Sequence, residues 1–538
     1  MKIFSSTTEL AAATLTADQI VKVKSVGDYR IQDSGTGITL ANGKIAVPQA
    51  SGTAISVKQF GATGDGVTDD TAALQAAIDA ASNGFLHIPS GSYSCNTLTL
   101  SSPIKIEGSG TLNLITAATT LLYITANNCE IDGLTLVGSG NSAEQLTEIL
   151  VRTGPSTVGS TSTVVENLQI RNCTIKDSDG YACRLAYIKD SVIDNCVMDN
   201  LRYAGVFVVS GSNIKVVNCK INNITGLSSN NNAYGITFTR DKLISVAGGG
   251  DRSSNCSAIN NTISNVDTWN GLDTHGGIDI TFANNRVIDC GFPIGIVASE
   301  EPGPIYIGAD NVTVTGNIID SSGTSGTNDQ SITLAGEATS YNTNVVFSNN
   351  TVKEVGEKGQ SLGGAVRFYN STGTVVSGNI ILNPRAIGIN IWYANDALAV
   401  TGNVVIDPYD DTVTTASGIC LRSTDNIGYI GGNSCVATGA SLGTYTAERG
   451  IYIVTGTNND ITIGTNFSNY ATPTNGYGNL SSDLNVAELT DSTGGAANST
   501  LQDVSATYNQ TFLNNNFADL AAKVNQIIRI LELNNLAS

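Results

Sequence analysis

Residues 165–178 read VENLQIRNCTIKDS: a short alternating strand, an asparagine, and then a second short apolar strand. The same pattern returns as IKDSVIDNCVMDN at 188–200 and as SNIKVVNCKINNI at 212–224. The central asparagine recurs every 23 residues, at Asn172, Asn195 and Asn218. A period in the low twenties, with two or three short strands per unit, is typical of a parallel β-helix. Stacked coils of this kind pair each strand with its neighbours and enclose one continuous apolar interior.

Copies farther along the chain keep the pattern with small changes in length. Asn261 and Asn285 are 24 residues apart, as are Asn379 and Asn403, whereas the longer step from Asn285 to Asn317 leaves room for a loop. Asparagine suits the bends between strands because it tolerates the left-handed backbone region. The leucine consensus of leucine-rich repeats is absent, and propeller blades need longer units. The pattern therefore predicts an all-β solenoid.

Composition narrows the range of partners. The 538 residues include 27 Lys+Arg and 46 Asp+Glu, a formal net charge of -19. Such a protein gains little from counterion release, so neither nucleic acid nor an anionic membrane surface is an expected partner. Neutral glycans, or anionic glycans bound in a local basic cleft, remain open. No run of about 18 apolar residues predicts a transmembrane helix, and the first residues lack the apolar core of a secretory signal.

The ten cysteines follow the repeat rather than a metal-binding or disulfide pattern. Cys173, Cys196 and Cys219 are each 23 residues apart, and each follows an asparagine. No CxxC pair occurs, so a zinc site is not indicated. We expect these cysteines to be small buried core residues at equivalent positions, and we expect no metal or other cofactor.

A short helix is predicted just before the repeats. In DDTAALQAAIDAAS, residues 69–82, Asp69 or Asp70 suits the helix N-cap. One apolar stripe then follows at helical spacing, formed by Leu74, Ala77, Ile78 and Ala81. Because an open stack of strands has an unpaired edge, this helix is expected to cover the first coil.

This region also carries a family resemblance. Residues 55–81, ISVKQFGATGDGVTDDTAALQAAIDAA, and the following FLHIPSGSYSCNTLTL resemble the opening segment of the pectate-lyase-like superfamily. That superfamily of right-handed parallel β-helices includes many phage tailspikes and surface-glycan depolymerases. With the repeats, the resemblance covers residues 55–485, and it implies turn and capping roles for Asp65, Asp69 and Asp70.

The two ends of the chain are predicted to have other roles. Residues 1–54 alternate as a small β module would, and the resemblance implies a head that binds a phage tail, baseplate or adaptor protein. Residues 486–510 are interpreted as a linker. Residues 511–538 hold a heptad seam at Leu513, Phe517, Leu520, Val524, Ile527, Leu531 and Asn534. The seam predicts a trimerising coiled coil, and hence a homotrimer; a helix packed on its own β-helix is the alternative.

One stretch stands out as a candidate site, WNGLDTHGG at 269–277. Strand alternation points Leu272 inward and places Trp269, Asp273 and His275 on the outer face. Trp could stack on a sugar ring, while Asp could orient an imidazole that transfers a proton. The alternative is that Asp273 merely orders a turn. The chain's other histidine, His87, is expected to be structural.

Two kinds of glycan chemistry remain open at this stretch. GLDTH resembles the Gly-Phe-Asp-Pro-His core of alginate C5-epimerases and related lyases, with Asn270 where those enzymes have a tyrosine. Candidate substrate-binding residues for such a reaction lie about one coil earlier, at Tyr234, Arg240, Lys242 and Arg252. A hydrolase would instead need two carboxylates, and Glu300 or Glu301 could pair with Asp273.

These observations predict a phage tailspike, made in the host cytoplasm and carried on the virion tail. Its partner would be a bacterial surface polysaccharide, either lipopolysaccharide O-antigen or capsule, which it binds and depolymerises as a hydrolase or a lyase. A non-catalytic trimeric adhesin is the first alternative. A free-standing polysaccharide lyase or epimerase is the second.

Overall fold

The computed structural model describes residues 2–470, apart from gaps at 25–26, 36, 50–54, 118, 141–146, 156–162, 227–231, 242–251, 301–305, 324–330, 357–362, 411–415, 423, 439–444, 447–448 and 454–459. The predicted linker at 486–510 and the coiled coil at 511–538 lie outside the described residues, so both stay predictions. Within the described part, the chain forms a parallel β-helix preceded by a small mixed sheet.

Three long sheets, called here sheets 1, 2 and 3, form the sides of the β-helix. Sheet 1 contains the strands Leu98–Leu100, Thr120–Ile124, Ile149–Thr153, Tyr181–Ala186, Ala204–Val209, Tyr234–Thr239, Asn270–His275, Phe292–Val297, Ile332–Ala335, Val366–Tyr369, Ile387–Ile391, Ser417–Leu421 and Arg449–Ile453. Consecutive strands of this sheet pair in parallel, one per coil.

Sheet 2 contains the strands Ile55–Ser56, Phe85–Ile88, Ile104–Gly108, Cys129–Asp132, Val165–Glu166, Gln169–Arg171, Ile188–Asp194, Ser212–Val217, Ser257–Ile259, Ile278–Ala283, Asp310–Thr315, Asn342–Ser348, Ser371–Thr372, Val375–Ser377, Asn395–Asp396, Leu398–Thr401, Ile427–Gly431 and Asp460–Ile463. Sheet 3 contains Asp65–Asp69, Ser92–Cys95, Thr111–Leu114, Thr135–Val137, Thr174–Ser178, Val197–Leu201, Lys220–Ile224, Thr262–Val266, Arg286–Ile288, Ile318–Asp320, Thr351–Lys353, Ile380–Leu382, Val404–Ile406, Ser434–Val436 and Phe467–Ser468. Each coil runs through sheets 2, 3 and 1 in that order.

The core is a set of columns that run along the coil stack. Because the strands pair in register, inward residues of successive coils lie on top of one another. One such column in sheet 1 is fully buried and joins Val206, Ile236, Leu272 and Ile294. Alternating strands therefore bury one continuous apolar interior, which confirms the solenoid that the period predicts.

The repeated asparagines occupy two different columns. Asn172, Asn195 and Asn218 are the exposed bend residues, with φ of 53°, 52° and 56°. The Asn195 side chain donates to the Asn172 side chain at 2.7 Å. Asparagine fits here because it tolerates the left-handed region at little cost.

The later asparagines are displaced by one residue and face inward. Asn261, Asn285, Asn317, Asn350, Asn379, Asn403 and Asn433 form a buried ladder. The Cys219 amide donates to the Asn261 side chain at 2.9 Å, so the ladder continues the column that Cys219 begins. The sequence pattern places both sets at one marker position, whereas the structure separates them.

All ten cysteines are buried and reduced, as the repeat spacing predicts. Burial raises the pKa of the Cys256 thiol to about 12, so this thiol stays protonated at neutral pH. The cysteines act as core residues rather than as cross-links.

The predicted cap over the first coil is present as the helix Thr71–Ala80, preceded by the 3-10 helix Val57–Phe60. The side-chain amide of Gln75 accepts from the Thr99 amide at 2.9 Å and donates to the Thr99 carbonyl at 3.0 Å. It thereby pairs the open edge of sheet 1.

The two aspartates at the start of this helix divide the work. Asp69 accepts from the Thr71 amide at 2.9 Å. Asp70 occupies the N-cap position, but its side chain does not cap the helix. It accepts instead from the Thr63 and Gly64 amides, at 2.6 and 2.9 Å, and thereby braces the preceding turn.

Residues 2–49 form a separate five-stranded sheet with its own core. Its elements are the strands Lys2–Phe4, Ile20–Val23, Gly27–Gln32, Ile38–Thr39 and Ile45–Gln49, and the helix Thr7–Ala11. The Tyr29 hydroxyl donates to the Gln59 carbonyl at 2.7 Å, which ties this module to the start of the β-helix. Its role as an attachment head stays a prediction. Two further pairs of short strands branch from the coils, Ser299–Glu300 with Tyr306–Ile307 and Tyr409–Asp410 with Tyr445–Thr446.

Candidate functional site

The strand Asn270–His275 lies in the middle of sheet 1. Leu272 is in the core, and Thr274 donates to the Phe238 carbonyl inside the stack at 2.7 Å. Asp273 and His275 therefore project from the opposite, outer face, as strand alternation predicts.

Asp273 is the most enclosed carboxylate of this face, with an exposed fraction of 0%. Its Oδ2 accepts from the Thr237 hydroxyl at 2.6 Å, and its Oδ1 accepts from the Asn270 side-chain amide at 2.6 Å. A buried carboxylate needs such partners because it has lost its hydration. The arrangement holds the carboxylate in one orientation beside His275.

His275 provides the exposed part of the pair. Its Nε2 lies 3.2 Å from Oδ2 of Asp273, and its side chain is 19% exposed. The contact is close but not aligned as a hydrogen bond. The imidazole also meets the Tyr234 ring edge-on, with ring centroids 6.2 Å apart. An imidazole so placed can move a proton at the surface while the carboxylate behind it stabilises the charged form.

Aromatic side chains surround the pair on one side. Tyr234 is buried against Tyr203 and Phe207, with ring centroids 5.6 Å apart in both cases. Burial, together with the nearby Asp273 carboxylate, raises the pKa of Tyr234 well above its ordinary value. Trp269 packs on Phe292 with centroids 4.8 Å apart, and it is half-buried rather than fully displayed. Its predicted role in stacking on a sugar stays a prediction.

The two arginines named from the sequence lie close to the site but deep in the structure. Arg240 is buried just after the strand Tyr234–Thr239. The Arg252 guanidinium donates to the Gly276 carbonyl, to Gly277 at 3.2 Å and to Gly308 at 2.6 Å, so it holds the turn that follows His275. Contact of either arginine with substrate stays a prediction, and Lys242 lies outside the described residues.

The predicted carboxylate partners remain untested. The register places Gly295, not a glutamate, directly opposite Asp273. Glu300 follows in the short strand Ser299–Glu300, but its side chain and all of Glu301 lie outside the described part of the chain. His87 is exposed on the strand Phe85–Ile88 of the first coils, away from this site.

Three contributors to the site escape the sequence pattern. Thr237 and Gly295 belong to neighbouring coils, and Asn270 is noted in the sequence only as a replacement for tyrosine. A Cβ at Gly295 would lie 2.5 Å from the Asn270 amide nitrogen and 2.9 Å from Oδ1 of Asp273. Glycine at this position therefore makes room for the hydrogen bond between Asn270 and Asp273.

Among the described residues, no group of three or more His, Cys, Asp or Glu side chains could hold a metal ion. No helix in the same part of the chain has the length and apolar character needed to cross a membrane.

Two family models match the chain along the coil stack. Residues 54–297 match a model described as rhamnogalacturonase A/epimerase, pectate lyase-like. Residues 250–405 match a model described as right handed beta helix region. Together with the observed coils, these matches confirm the resemblance to the pectate-lyase-like superfamily.

Curated relatives match over short segments. A mannuronan C5-epimerase of Azotobacter vinelandii is 48% identical over 66 residues, which are 10% of this chain and 7% of the epimerase. The plasmin and fibronectin-binding protein A of Streptococcus pneumoniae is 28% identical over 173 residues, 27% of this chain and 24% of that protein. The matches thus span less than a quarter of either relative.

Two solved structures share the fold. The surface adhesin PfbA of Streptococcus pneumoniae has a TM-score of 0.52 at 16% identity, covering 67% of this chain and 91% of the adhesin. The pre-mature gene product 12 of bacteriophage phi29 has a TM-score of 0.52 at 15% identity, covering 77% of this chain and 52% of that chain. At these identities the likeness concerns the fold alone.

Proposed function

We propose that this protein is a phage tailspike that binds a bacterial surface polysaccharide and cleaves it on the outer face of sheet 1. The observation that carries the proposal is the Asp273–His275 pair, with a buried carboxylate 3.2 Å from a partly exposed imidazole. The ligand is lipopolysaccharide O-antigen or capsule, and the head formed by residues 1–54 joins the spike to the virion.

The burial of the two side chains assigns their roles. With an exposed fraction of 0%, Asp273 has no surface for a sugar to touch, so it acts as a positioning residue for His275. His275 is the catalytic residue because its ring reaches the outer face. A purely structural carboxylate would be satisfied by Thr237 and Asn270, and the neighbouring imidazole would then be superfluous.

The reaction is a proton transfer that breaks a glycosidic linkage. In β-elimination, His275 removes the proton next to a uronate carboxyl group, and the bond to the leaving sugar oxygen then breaks. In hydrolysis, a second carboxylate such as Glu300 or Glu301 is required, and water adds across the bond. Elimination needs fewer groups beyond the observed pair.

A non-catalytic adhesin is the second candidate, supported by the fold that this chain shares with a pneumococcal surface adhesin. In that case the outer face of sheet 1 would only bind glycan. A free-standing lyase or epimerase is the third candidate, and it would need neither the head nor the C-terminal trimer.

The test is incubation of the full-length protein with a panel of bacterial O-antigens and capsular polysaccharides. Fragment size, new reducing ends and the ultraviolet absorbance of unsaturated uronates are read together. We expect shorter chains, with new absorbance for elimination and without it for hydrolysis. Binding without shortening would establish the adhesin instead, and a monomer in sedimentation would contradict the trimer.

Replacement of Gly295 by alanine should lower the cleavage rate about tenfold to a hundredfold. The added methyl group displaces the Asn270 amide and tilts the Asp273 carboxylate, and small misplacements at a reacting centre are costly. Initial rates from reducing ends measure the effect. Gly84→Ala is the control, since a Cβ there meets nothing closer than the Ala81 carbonyl at 3.4 Å. Equal rates in both variants would contradict the role of Gly295.

A further inference from the structure

The strands of sheet 1 reverse the charge balance of the chain. They contain four basic residues, Arg152, Arg184, Arg367 and Arg449, and one carboxylate, Asp273. The strands of sheet 2 instead contain ten carboxylates against four basic residues, and those of sheet 3 contain five against four. In a protein of net charge -19, sheet 1 is the side that favours an anionic ligand.

Several of these arginines rest on aromatic rings. The Arg367 guanidinium lies 5.3 Å from the centre of the Trp392 ring, and the Arg449 guanidinium lies 4.2 Å from that of Tyr452. Such cation–π contacts hold the planar guanidinium in one orientation and leave its edge able to bind an anion.

Arg367 belongs to an aromatic group that we call the Trp392 cluster, which consists of Arg367, Tyr369, Trp392 and Tyr393. The rings of Tyr369 and Trp392 stack with centroids 5.3 Å apart and an interplanar angle of 23°. Tyr369 and Tyr393 are 5.4 Å apart, and Tyr393 is 38% exposed. A stacked, partly exposed group of rings beside a fixed guanidinium fits a sugar that bears a negative charge.

The cluster lies on the same columns as the Asp273–His275 pair. The Asp273 column continues through Gly295 and Thr333 to Arg367. The His275 column continues through Val297 and Ala335 to Tyr369. Three strand spacings of about 4.8 Å separate the two groups by roughly 14 Å along the helix axis.

The four side chains between the two groups are small. Gly295, Val297, Thr333 and Ala335 form a low floor, bounded by the rings around Tyr234 on one side and by the Trp392 cluster on the other. The Arg367 Nη2 donates to the Thr333 hydroxyl at 3.2 Å, so the guanidinium lies over the end of this floor. An extended polymer laid along the axis would reach both groups.

We propose that the Trp392 cluster is a second polysaccharide subsite, which binds a sugar bearing a carboxylate or phosphate group. One anionic chain would lie lengthwise along sheet 1, with the reacting linkage at His275 and an anionic sugar on Arg367, Tyr369 and Trp392. The inference rests on the proposed function for the position of the reaction. Binding at the cluster itself does not require cleavage.

The experiment uses the fact that the chain has two tryptophans. In the full-length Trp269→Phe, Asp273→Asn variant, Trp392 is the single tryptophan and cleavage is suppressed. Its fluorescence is titrated with polygalacturonate, alginate, polysialic acid and a teichoic acid, and with neutral dextran. We expect a saturable change with at least one anionic polymer, weakened by salt, and none with dextran. Carboxylate polymers and the phosphate polymer separate the two anion types.

In this background, Arg367→Gln should weaken binding about tenfold, and Tyr393→Ala should weaken it several-fold. Arg171→Gln is the matched control, because Arg171 lies in sheet 2, with its Nη1 3.3 Å from Oδ2 of Asp194. Tyr429→Ala is the control for an exposed tyrosine of sheet 2. Melting temperatures verify that each variant is folded. Because Tyr393 is exposed, its replacement tests the subsite even if Arg367→Gln fails to fold.

The inference is overturned if no anionic polymer changes the fluorescence, if dextran does so equally, or if Arg367→Gln and Tyr393→Ala keep the original affinity. Failure of the proposed function is a different result. If the unmodified protein cleaves nothing but the Trp392 response persists and depends on Arg367, the subsite stands and the cleavage proposal fails. If cleavage occurs and the response does not depend on the cluster, the reverse holds.

Discussion

Asp273→Asn is expected to reduce the rate of polysaccharide cleavage by a hundredfold or more while leaving polysaccharide binding intact. The carboxylate accepts hydrogen bonds from Thr237 and Asn270 at its two oxygens, and it lies beside His275. An amide of the same shape has only one acceptor oxygen, and it brings no charge to stabilise an imidazolium. Loss of a positioned proton-transfer system typically costs 10²–10⁴-fold. Initial rates from reducing ends and a separate binding measurement check both parts.

Two comparisons make this prediction specific. Asp279→Asn changes an exposed carboxylate of the neighbouring strand Ile278–Ala283 and should leave the rate unchanged. The Asp273→Asn, His275→Gln double variant should be no slower than the slower single variant, since the two side chains act as one unit. Full cleavage activity in Asp273→Asn would remove this pair as the site, whatever the fold of the variant.

The second large effect concerns stability. Asn317→Ala should lower the free energy of unfolding by about 3 kcal/mol. The Asn317 side chain accepts from the Asn285 amide at 2.8 Å and from its side chain at 3.0 Å. It also donates to the Phe282 carbonyl and to the Asn350 side chain, both at 2.9 Å. Alanine leaves these groups buried without partners, and each such group is costly. The urea midpoint of unfolding measures the loss.

The matched variant is Asn195→Ala, at an exposed bend with φ of 52°. It loses the side-chain hydrogen bond to Asn172 and places alanine in the left-handed region, for a cost of about 1 kcal/mol. A smaller effect at Asn317 than at Asn195 would contradict the distinction between the buried ladder and the exposed bends.

Much of this architecture is already present in the sequence. The 23-residue period, the alternation within each repeat and the segment at 55–81 predict the parallel β-helix and its capping helix, because these features depend on local spacing and on which face is apolar. The same alternation places Asp273 and His275 together on the outer face of their strand. The two asparagine columns are the exception, because a shift of one residue turns a side chain from the bend into the core.

The tertiary structure decides what lies across from each residue. Thr237, Asp273 and Gly295 meet on consecutive strands, although the loops between them differ in length. Strand register, which no single repeat encodes, brings the hydroxyl to the carboxylate and sets the glycine opposite. The same register aligns Arg367 with Asp273 and gathers four arginines on one side of an acidic chain. The sequence by itself determines the fold and the two residues at the centre of the candidate site. Only the stacking of coils determines their partners, since those partners are distant in sequence and adjacent only through interstrand hydrogen bonds.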